Sequence, residues 1–434
     1  MFNVINKYKN SHPKFLEEWN KLNEVMFENG MTWGTFLEET QESNYKEKEW
    51  CQYVTTSLLE MPKSEHSRIK FATESLFNMI QEVIDLFHSY PTDVKEQLLD
   101  QMGFSKYNQS LILNAQRMDL FSYLCRFDII YDEEHDEYKC IEFNSATPMG
   151  LTESAISNSI INDYYNTRTP NRLENNLVKM WDNIRMELNL DPNDTIYFSS
   201  LKDFREDRYN VEFQMNHASH SGNVRFIGLE DIEVVDNKLF DEDGNEIKYW
   251  YKLFPVEFFE EEPGVFKDAL QYITTHQTVT MINPIDSFLA QNKGFYAWVW
   301  SLADDENALI SDKSKQTIKQ FMLPTYFEKH TSLSDYVVKP IFGREGNCVD
   351  IYKNNRLVFK DDFHEATNYY DSQRKIYQQY IEMPELPVET WDGEYIGKWL
   401  IGSYMLGGQA SGLYHRIGHM VTGSQSLYLP YTIK

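Results

Sequence analysis

Cysteine is scarce: four thiols (Cys51, Cys125, Cys140 and Cys348) in 434 residues, none in a C-x-x-C pair, are too few for a disulfide scaffold or a thiolate zinc site. They read as buried, reduced thiols. Long apolar runs are missing too. Nothing approaches the roughly 18 residues of a membrane span, and Met1 to Lys7 lacks the apolar stretch of a secretory leader, which predicts a cytoplasmic chain. No run of Lys and Arg occurs, and 41 basic against 67 acidic residues leave a net charge of −26. That balance excludes a nucleic-acid coat and favours cationic partners. Any polyphosphate ligand would need a local group of cations to reverse the global sign. Neither H-E-x-x-H nor G-x-S-x-G is present, and the histidines are scattered.

Aromatic residues, by contrast, are plentiful. With 27 Phe, 28 Tyr, 9 Trp and 41% hydrophobic residues the chain can bury large cores, so disorder is excluded. The length calls for two or three domains or one composite body. Residues 1–118 read as helical, with Leu76, Phe77, Met79, Ile80, Val83, Ile84 and Phe87 at three- and four-residue intervals. A break at Tyr90-Pro91-Thr92-Asp93 ends one helix and lets Thr92 or Asp93 cap the next. Over 119–282 short alternating runs and helices take turns, with a turn at Asp241–Asn245. After Asn283-Pro284, an aromatic helix leads into a strand-rich region over 283–434. There is no internal repeat and no low-complexity linker.

The most informative stretch runs from Leu124 to Asn144: two alternating segments joined by a charged turn around His135, the pattern of an antiparallel hairpin. If pairing is symmetric about that turn, Arg126 faces Asn144, Asp128 faces Glu142, and all four share one face. Such a face is poor core material, because buried charges need partners. Hard oxygens on adjacent strands suit Mg²⁺; an ion-paired, solvent-facing hairpin is the plainer alternative.

A second stretch, Tyr336 to Phe359, reads as strand, glycine loop, strand. No helix opens after Gly343 and Gly346, so it is not a Walker A loop, yet its backbone N–H groups could close over phosphates while Lys339 supplies a charge. An ordinary hairpin turn fits these residues as well. Three weaker signals follow. Asn292-Lys293 heads the aromatic helix, where a lone lysine reads first as a solvated charge. The strand Ile376–Ile381 leads to Pro384 and could offer its backbone to an adenine edge. Gly407 to Arg416 reads as a flexible segment delivering an arginine.

Taken in order, Arg126-Phe127-Asp128, Ile141-Glu142-Phe143-Asn144, Asn292-Lys293, Val338-Lys339-Pro340 with Gly343-Arg344-Glu345-Gly346, Tyr377-Gln378-Gln379, and Gly412 to Arg416 resemble the ATP-grasp synthetases of glutathionylspermidine and trypanothione. The likeness runs from about residue 110 to the end and is greatest to stand-alone synthetases without an amidase domain. It implies an α/β (α+β) ATP-grasp synthetase fold. A helical segment (1–118) would pack on a substrate- and metal-binding part (119–282) and a nucleotide-binding part (283–434). The implied activity is ATP-dependent acid–amine ligation through an acyl phosphate. The implied cofactors are ATP and Mg²⁺, as two ions. The partners would be a small acid such as a peptide or glutathione and a small amine such as a polyamine.

By the same resemblance, Asp128, Glu142 and Asn144 correspond to the magnesium ligands and Arg126 to the arginine that steadies the transferring phosphoryl group. Lys293, Lys339, Gly343, Glu345 and Gly346 correspond to phosphate contacts and covering loop, and Gln378, Gln379, Tyr380 and Ile381 to the adenine hinge. Arg416, Val421 and Thr422 complete the nucleotide pocket. The bifunctional enzymes carry serines that help hold glutathione near positions 147 and 149; here Thr147 keeps a hydroxyl and Met149 does not. Glu257 reads as an ammonium contact or as a helix-start carboxylate. An ATPase or phosphotransferase of the same fold, or a nucleotide-binding regulator without turnover, would share these residues.

Overall fold

The apolar spacing of Ile69, Ala72, Leu76, Ile80, Val83 and Phe87 produces one long buried stripe, and a 27-residue helix, α1 (Lys63–Ser89), forms on it. The computed structural model describes residues 2–40, 47–261, 265–305, 309–360, 367–423 and 426–434. Tyr90-Pro91 ends α1 as expected. The next helix starts at Thr92, and neither Thr92 nor Asp93 caps it: Pro91 holds the cap position, with no side-chain bond.

The alternating segments form β1 (Leu124–Asp132) and β2 (Glu137–Asn144), an antiparallel hairpin. The aromatic helix is α2 (Lys293–Leu302), whose N-cap Asn292 accepts from the N–H groups of Gly294 and Phe295. Two strands follow that matter for the site, β3 (Tyr336–Pro340) and β4 (Lys375–Gln379), and then a long hairpin of β5 (Gly393–Leu406) and β6 (Gln409–Gly418).

These strands make two antiparallel sheets. One has the order Leu427–Tyr428, β6, β5, β1, β2, with Glu385–Thr390 also paired to β5; the other runs Thr325–Tyr326, β4, β3, Asp350–Lys353, Arg356–Lys360. α1 packs on β5, tied by Thr73 Oγ1 donating to Ser403 Oγ at 2.7 Å. A third, parallel sheet of Thr280–Ile282, Tyr249–Lys252, Ile196–Ser199 and Val224–Phe226 buries Trp250, Tyr251 and Phe198. Each such fully buried aromatic contributes about 1.5–3 kcal/mol by removal from water.

Two expectations need correction. The first 61 residues are not wholly helical: the helix Phe15–Glu28 is joined by strands Asn3–Ile5, Thr35–Thr40, Glu47–Gln52 and Leu58–Met61. Leu58–Met61 pairs in parallel with Tyr431–Ile433 near the other end of the chain, a partner that local spacing cannot reveal. Gly407 to Arg416 is not a loose segment either. Gly407 and Gly408, both at positive φ (53° and 76°), make a tight hairpin turn, and β6 carries Arg416 within the sheet. Cys125, Cys140 and Cys348 are buried as expected and Cys51 is half-buried. Among the described residues no helix is long and apolar enough to cross a membrane.

Candidate active site

The hairpin register is the one that symmetry about the turn predicts at its chemical end: Arg126 opposes Asn144 and Asp128 opposes Glu142. Beyond that point Ile129 pairs with Cys140, so Ile141 is an extra residue, a β-bulge. The bulge turns the Ile141 carbonyl toward Lys339, whose Nζ donates to it at 3.2 Å.

All four polar side chains line a cavity of about 620 Å³ between the two antiparallel sheets. Asp128 sits between two guanidiniums. Arg126 donates from Nε at 2.7 Å and from Nη2 at 3.0 Å, and Arg416 Nη2 donates at 2.8 Å. Burial alone would raise the Asp128 pKa; Arg126 and Arg416 outweigh it and hold the carboxyl below its usual range. Glu142 is likewise held low against desolvation, first by Lys293, whose Nζ lies 3.0 Å away. The Asn144 amide nitrogen donates to Asp128 at 3.3 Å, which leaves the amide oxygen for another partner.

Lys293, a solvated charge by local spacing and a phosphate contact by resemblance, is 9% exposed and donates also to the Gly343 carbonyl at 2.6 Å. It therefore fastens the glycine loop to the hairpin. Lys339 is equally buried and donates to Gln378 Oε1 at 2.8 Å; desolvation, with repulsion from Lys293, pushes its ammonium down to about 8. Glu345 and Gly346 both adopt positive φ, 52° and 78°.

The strand end Gln378–Ile381 reaches the cavity beside an apolar shelf of Ile130, Ile141, Met383 and Leu400. The N–H groups of Gln379 and Tyr380 are used by Pro324 and Asp335, whereas no protein acceptor meets that of Ile381 among the described residues. Arg416 Nε and Thr422 Oγ1 are buried without a hydrogen-bond partner among those residues. Both residues line the cavity.

Thr147, Lys293, Lys339, Gly343, Glu345, Gly346, Gln378, Gln379, Tyr380, Ile381, Arg416, Val421 and Thr422 thus join the hairpin quartet around one space. Glu257 is not among the lining residues. It is buried behind the loop, where Arg344 donates to its Oε1 from Nε at 3.0 Å and Nη2 at 2.7 Å. Arg344 Nη1 donates to Thr147 Oγ1 at 2.8 Å, so the glycine loop is also tied to the segment after Asn144. Met149 contributes its carbonyl, which accepts from Arg126 Nη1 at 2.7 Å.

Residues that the sequence did not flag close the other end: Tyr53, Glu153, Glu206, Asp207 and Tyr414. The Tyr414 ring lies 5.5 Å from both Arg126 and Arg416, a cation–π contact with each. Glu206 is an exposed residue of this end, its carboxyl pushed up to about 7 by desolvation and repulsion from Glu153 and Asp207. Asp207 is pushed up to about 6 by desolvation and Glu345. The only local signal was an acidic pair in the first turn of the helix Arg205–Ala218, which reads as ordinary dipole compensation.

The chain resembles known proteins over nearly its whole length. The model of the glutathionylspermidine synthase preATP-grasp family matches residues 14–434. A Haemophilus influenzae protein named "Putative acid–amine ligase" is 27% identical over 385 residues, which cover 86% of this chain and 88% of that one. A glutathione synthetase-like effector from Globodera pallida, solved without ligand, superposes with a TM-score of 0.60. It covers 98% of each chain at 10% identity, a likeness of fold. The chain belongs to the glutathionylspermidine synthase preATP-grasp family and has the mixed α/β fold of the ATP-grasp type.

Proposed function

We propose that the protein is an ATP-dependent acid–amine ligase. The observation that carries this reading is the convergence of four cations, Arg126, Lys293, Lys339 and Arg416, around a buried and a half-buried carboxylate, Asp128 and Glu142, inside one cavity of a strongly acidic chain. That grouping is the local charge reversal a polyphosphate requires. The unpartnered Arg416 Nε and Thr422 Oγ1 are consistent with an anionic ligand, and the apolar shelf beside the Ile381 N–H suits a purine.

Asp128, Glu142 and Asn144 would hold Mg²⁺. Two carboxylates and a carboxamide oxygen on adjacent strands are a hard donor set suited to an ion that completes its shell with water and phosphate. Among the described residues no group of three carboxylate, histidine or cysteine side chains competes for a metal. Bound there, the ion would supply charge stabilisation during phosphoryl transfer.

In the first half-reaction the carboxylate of the acid attacks the γ-phosphorus of ATP, and ADP leaves. Arg126 and Arg416 offset charge on the transferring group while Lys293 and Lys339 hold the phosphates. In the second, the amine nitrogen attacks the acyl carbon, the C–O bond to phosphate breaks, and a proton leaves the nitrogen. The product is an amide plus inorganic phosphate. The glycine loop excludes water from the acyl phosphate, and its two ties, Lys293 to Gly343 and Arg344 to Glu257 and Thr147, position it.

The test is ADP release from Mg-ATP over a panel of small acids including glutathione, each with spermidine or with hydroxylamine. The expected product is a hydroxamate or new amide with at least one acid. ADP and phosphate at equal rates with and without nucleophile would instead describe an ATPase.

The covering role of the loop has its own check. A Cβ at Gly346 would lie 2.3 Å from Val421 Cγ1, and its φ of +78° disfavours a side chain. Gly346→Ala is therefore expected to weaken Mg-ATP binding about tenfold, roughly 1.4 kcal/mol, in a calorimetric titration. Unchanged affinity would remove the loop from the nucleotide site.

A further inference from the structure

Three carboxyls of the cavity, Glu153, Glu206 and Asp207, are used by neither the phosphate nor the metal assignment, and Glu153 alone of them is buried. Glu153 lines the acidic end and is 3% exposed. Its Oε1 accepts from Trp33 Nε1 at 3.1 Å and from the Tyr53 hydroxyl at 2.9 Å. Its Oε2 is buried and has no hydrogen-bond partner among the described residues. A carboxylate oxygen stripped of water and left without a donor keeps its desolvation penalty unmet, so a ligand donor at that position would relieve it.

The electrostatics select the kind of donor. Desolvation pushes the Glu153 pKa up, opposed first by its own backbone N–H, then by the bonds from Trp33 and Tyr53 and more weakly by Arg126. Arg126 is engaged by Asp128 and by the Met149 carbonyl. Glu206 is close enough for Glu153 to raise its pKa, and Asp207 and Glu345 add to the same field. A neutral donor would fill the hydrogen bond and leave that repulsion; an ammonium answers both. The backbone is also unusual, since Glu153 opens a five-residue π-helical turn, Glu153–Ser157, a geometry that recurs at functional sites.

Trp33 and Tyr53 come from the first 61 residues, a segment to which no site residue was assigned from the sequence. Tyr53 also meets Tyr414, hydroxyl to hydroxyl at 2.6 Å, and the Tyr414 ring contacts both phosphate-side arginines. Two tyrosines thereby link Glu153 to the arginines assigned to the transferring phosphoryl group.

We infer that Glu153 Oε2 binds an ammonium group of the amine substrate, with Trp33 and Tyr53 of the N-terminal segment orienting the carboxylate. This rests on the ligase reading and names the residue that selects a cationic amine. Glutamine in its place would still accept from Trp33 and Tyr53 but would turn an amide N–H₂ toward the ammonium.

The experiment is calorimetric titration of the full chain, with Mg-ADP present, using spermidine and 1,4-diaminobutane as probes. Wild type is expected to bind at least one probe, Glu153→Gln to bind it at least about tenfold more weakly, and Mg-ATP affinity to stay within about twofold in the variant. Tyr53→Phe, which loosens the orientation and keeps the charge, is expected to weaken the probe about threefold. It decides the matter if Glu153→Gln does not fold. Absence of probe binding by wild type, or binding by both variants as tight as by wild type, overturns the assignment. Failure of the ligase reading is distinguishable: no acid yields a hydroxamate while probe binding still depends on Glu153.

Discussion

Asp128→Asn is expected to lower acid-dependent ADP formation at least about a thousandfold, roughly 4 kcal/mol of transition-state stabilisation. The carboxylate stands 2.7 Å and 2.8 Å from the nearest nitrogens of Arg126 and Arg416, opposite Glu142, and both oxygens are used. Asparagine keeps the shape and one acceptor but removes the charge that would anchor Mg²⁺ and balance two guanidiniums. Alanine is the poorer probe. It would remove the shape and every acceptor as well as the charge and leave both guanidiniums unpaired in the interior, a destabilisation of about 3–5 kcal/mol that confounds activity with folding. Steady-state ADP release read beside Tm separates the two effects, and near-normal kcat in a folded Asp128→Asn protein would sink the metal assignment.

Lys339→Met is expected to weaken Mg-ATP by about 30- to 100-fold, the worth of one buried charge-assisted hydrogen bond at roughly 2–3 kcal/mol. Turnover at saturating ATP should change less. The wild-type site adds a pH signature. Desolvation and Lys293 push the Lys339 ammonium down to about 8, so it is charged below that pH and neutral above. Nucleotide affinity should therefore fall as pH rises through about 8, and this dependence should vanish in the methionine variant. Calorimetry at pH 7 and pH 9 on both proteins reads the difference; equal affinities throughout would take Lys339 out of the phosphate contacts.

Much of the site's framework was legible because strands carry their facing in their alternation. Arg126, Asp128, Glu142 and Asn144 could be placed on one face from a period of two and a polar turn. The bulge at Ile141 could not, since an extra residue leaves no mark in composition. Local spacing alone left Lys293 a solvated charge, and only the resemblance placed it at the phosphates, because a lysine after a cap residue looks the same whether its side chain meets water or a carboxylate 151 positions earlier. Arg416 was misread as loop-borne because Gly407-Gly408 marks a turn without saying how far the strands beyond it run. Glu257 is a helix-start carboxylate, as one reading had it, and Arg344 holds it behind the cavity wall.

Local chemistry was readable from the chain: which segments alternate, where the chain turns, which cations and carboxylates sit at fixed spacing, and that any phosphate site must reverse the global charge. These follow from short-range periodicity and from composition, which need no knowledge of distant contacts. Long-range packing closes the two antiparallel sheets on one cavity and brings Glu153, Glu206 and Asp207 together at its acidic end. It alone placed Trp33 and Tyr53, from the N-terminal segment, behind Glu153. Those outcomes depend on pairings across a hundred residues or more, Tyr53 with Tyr414 and Leu59 with Tyr431 among them, where burial rather than local propensity sets the geometry.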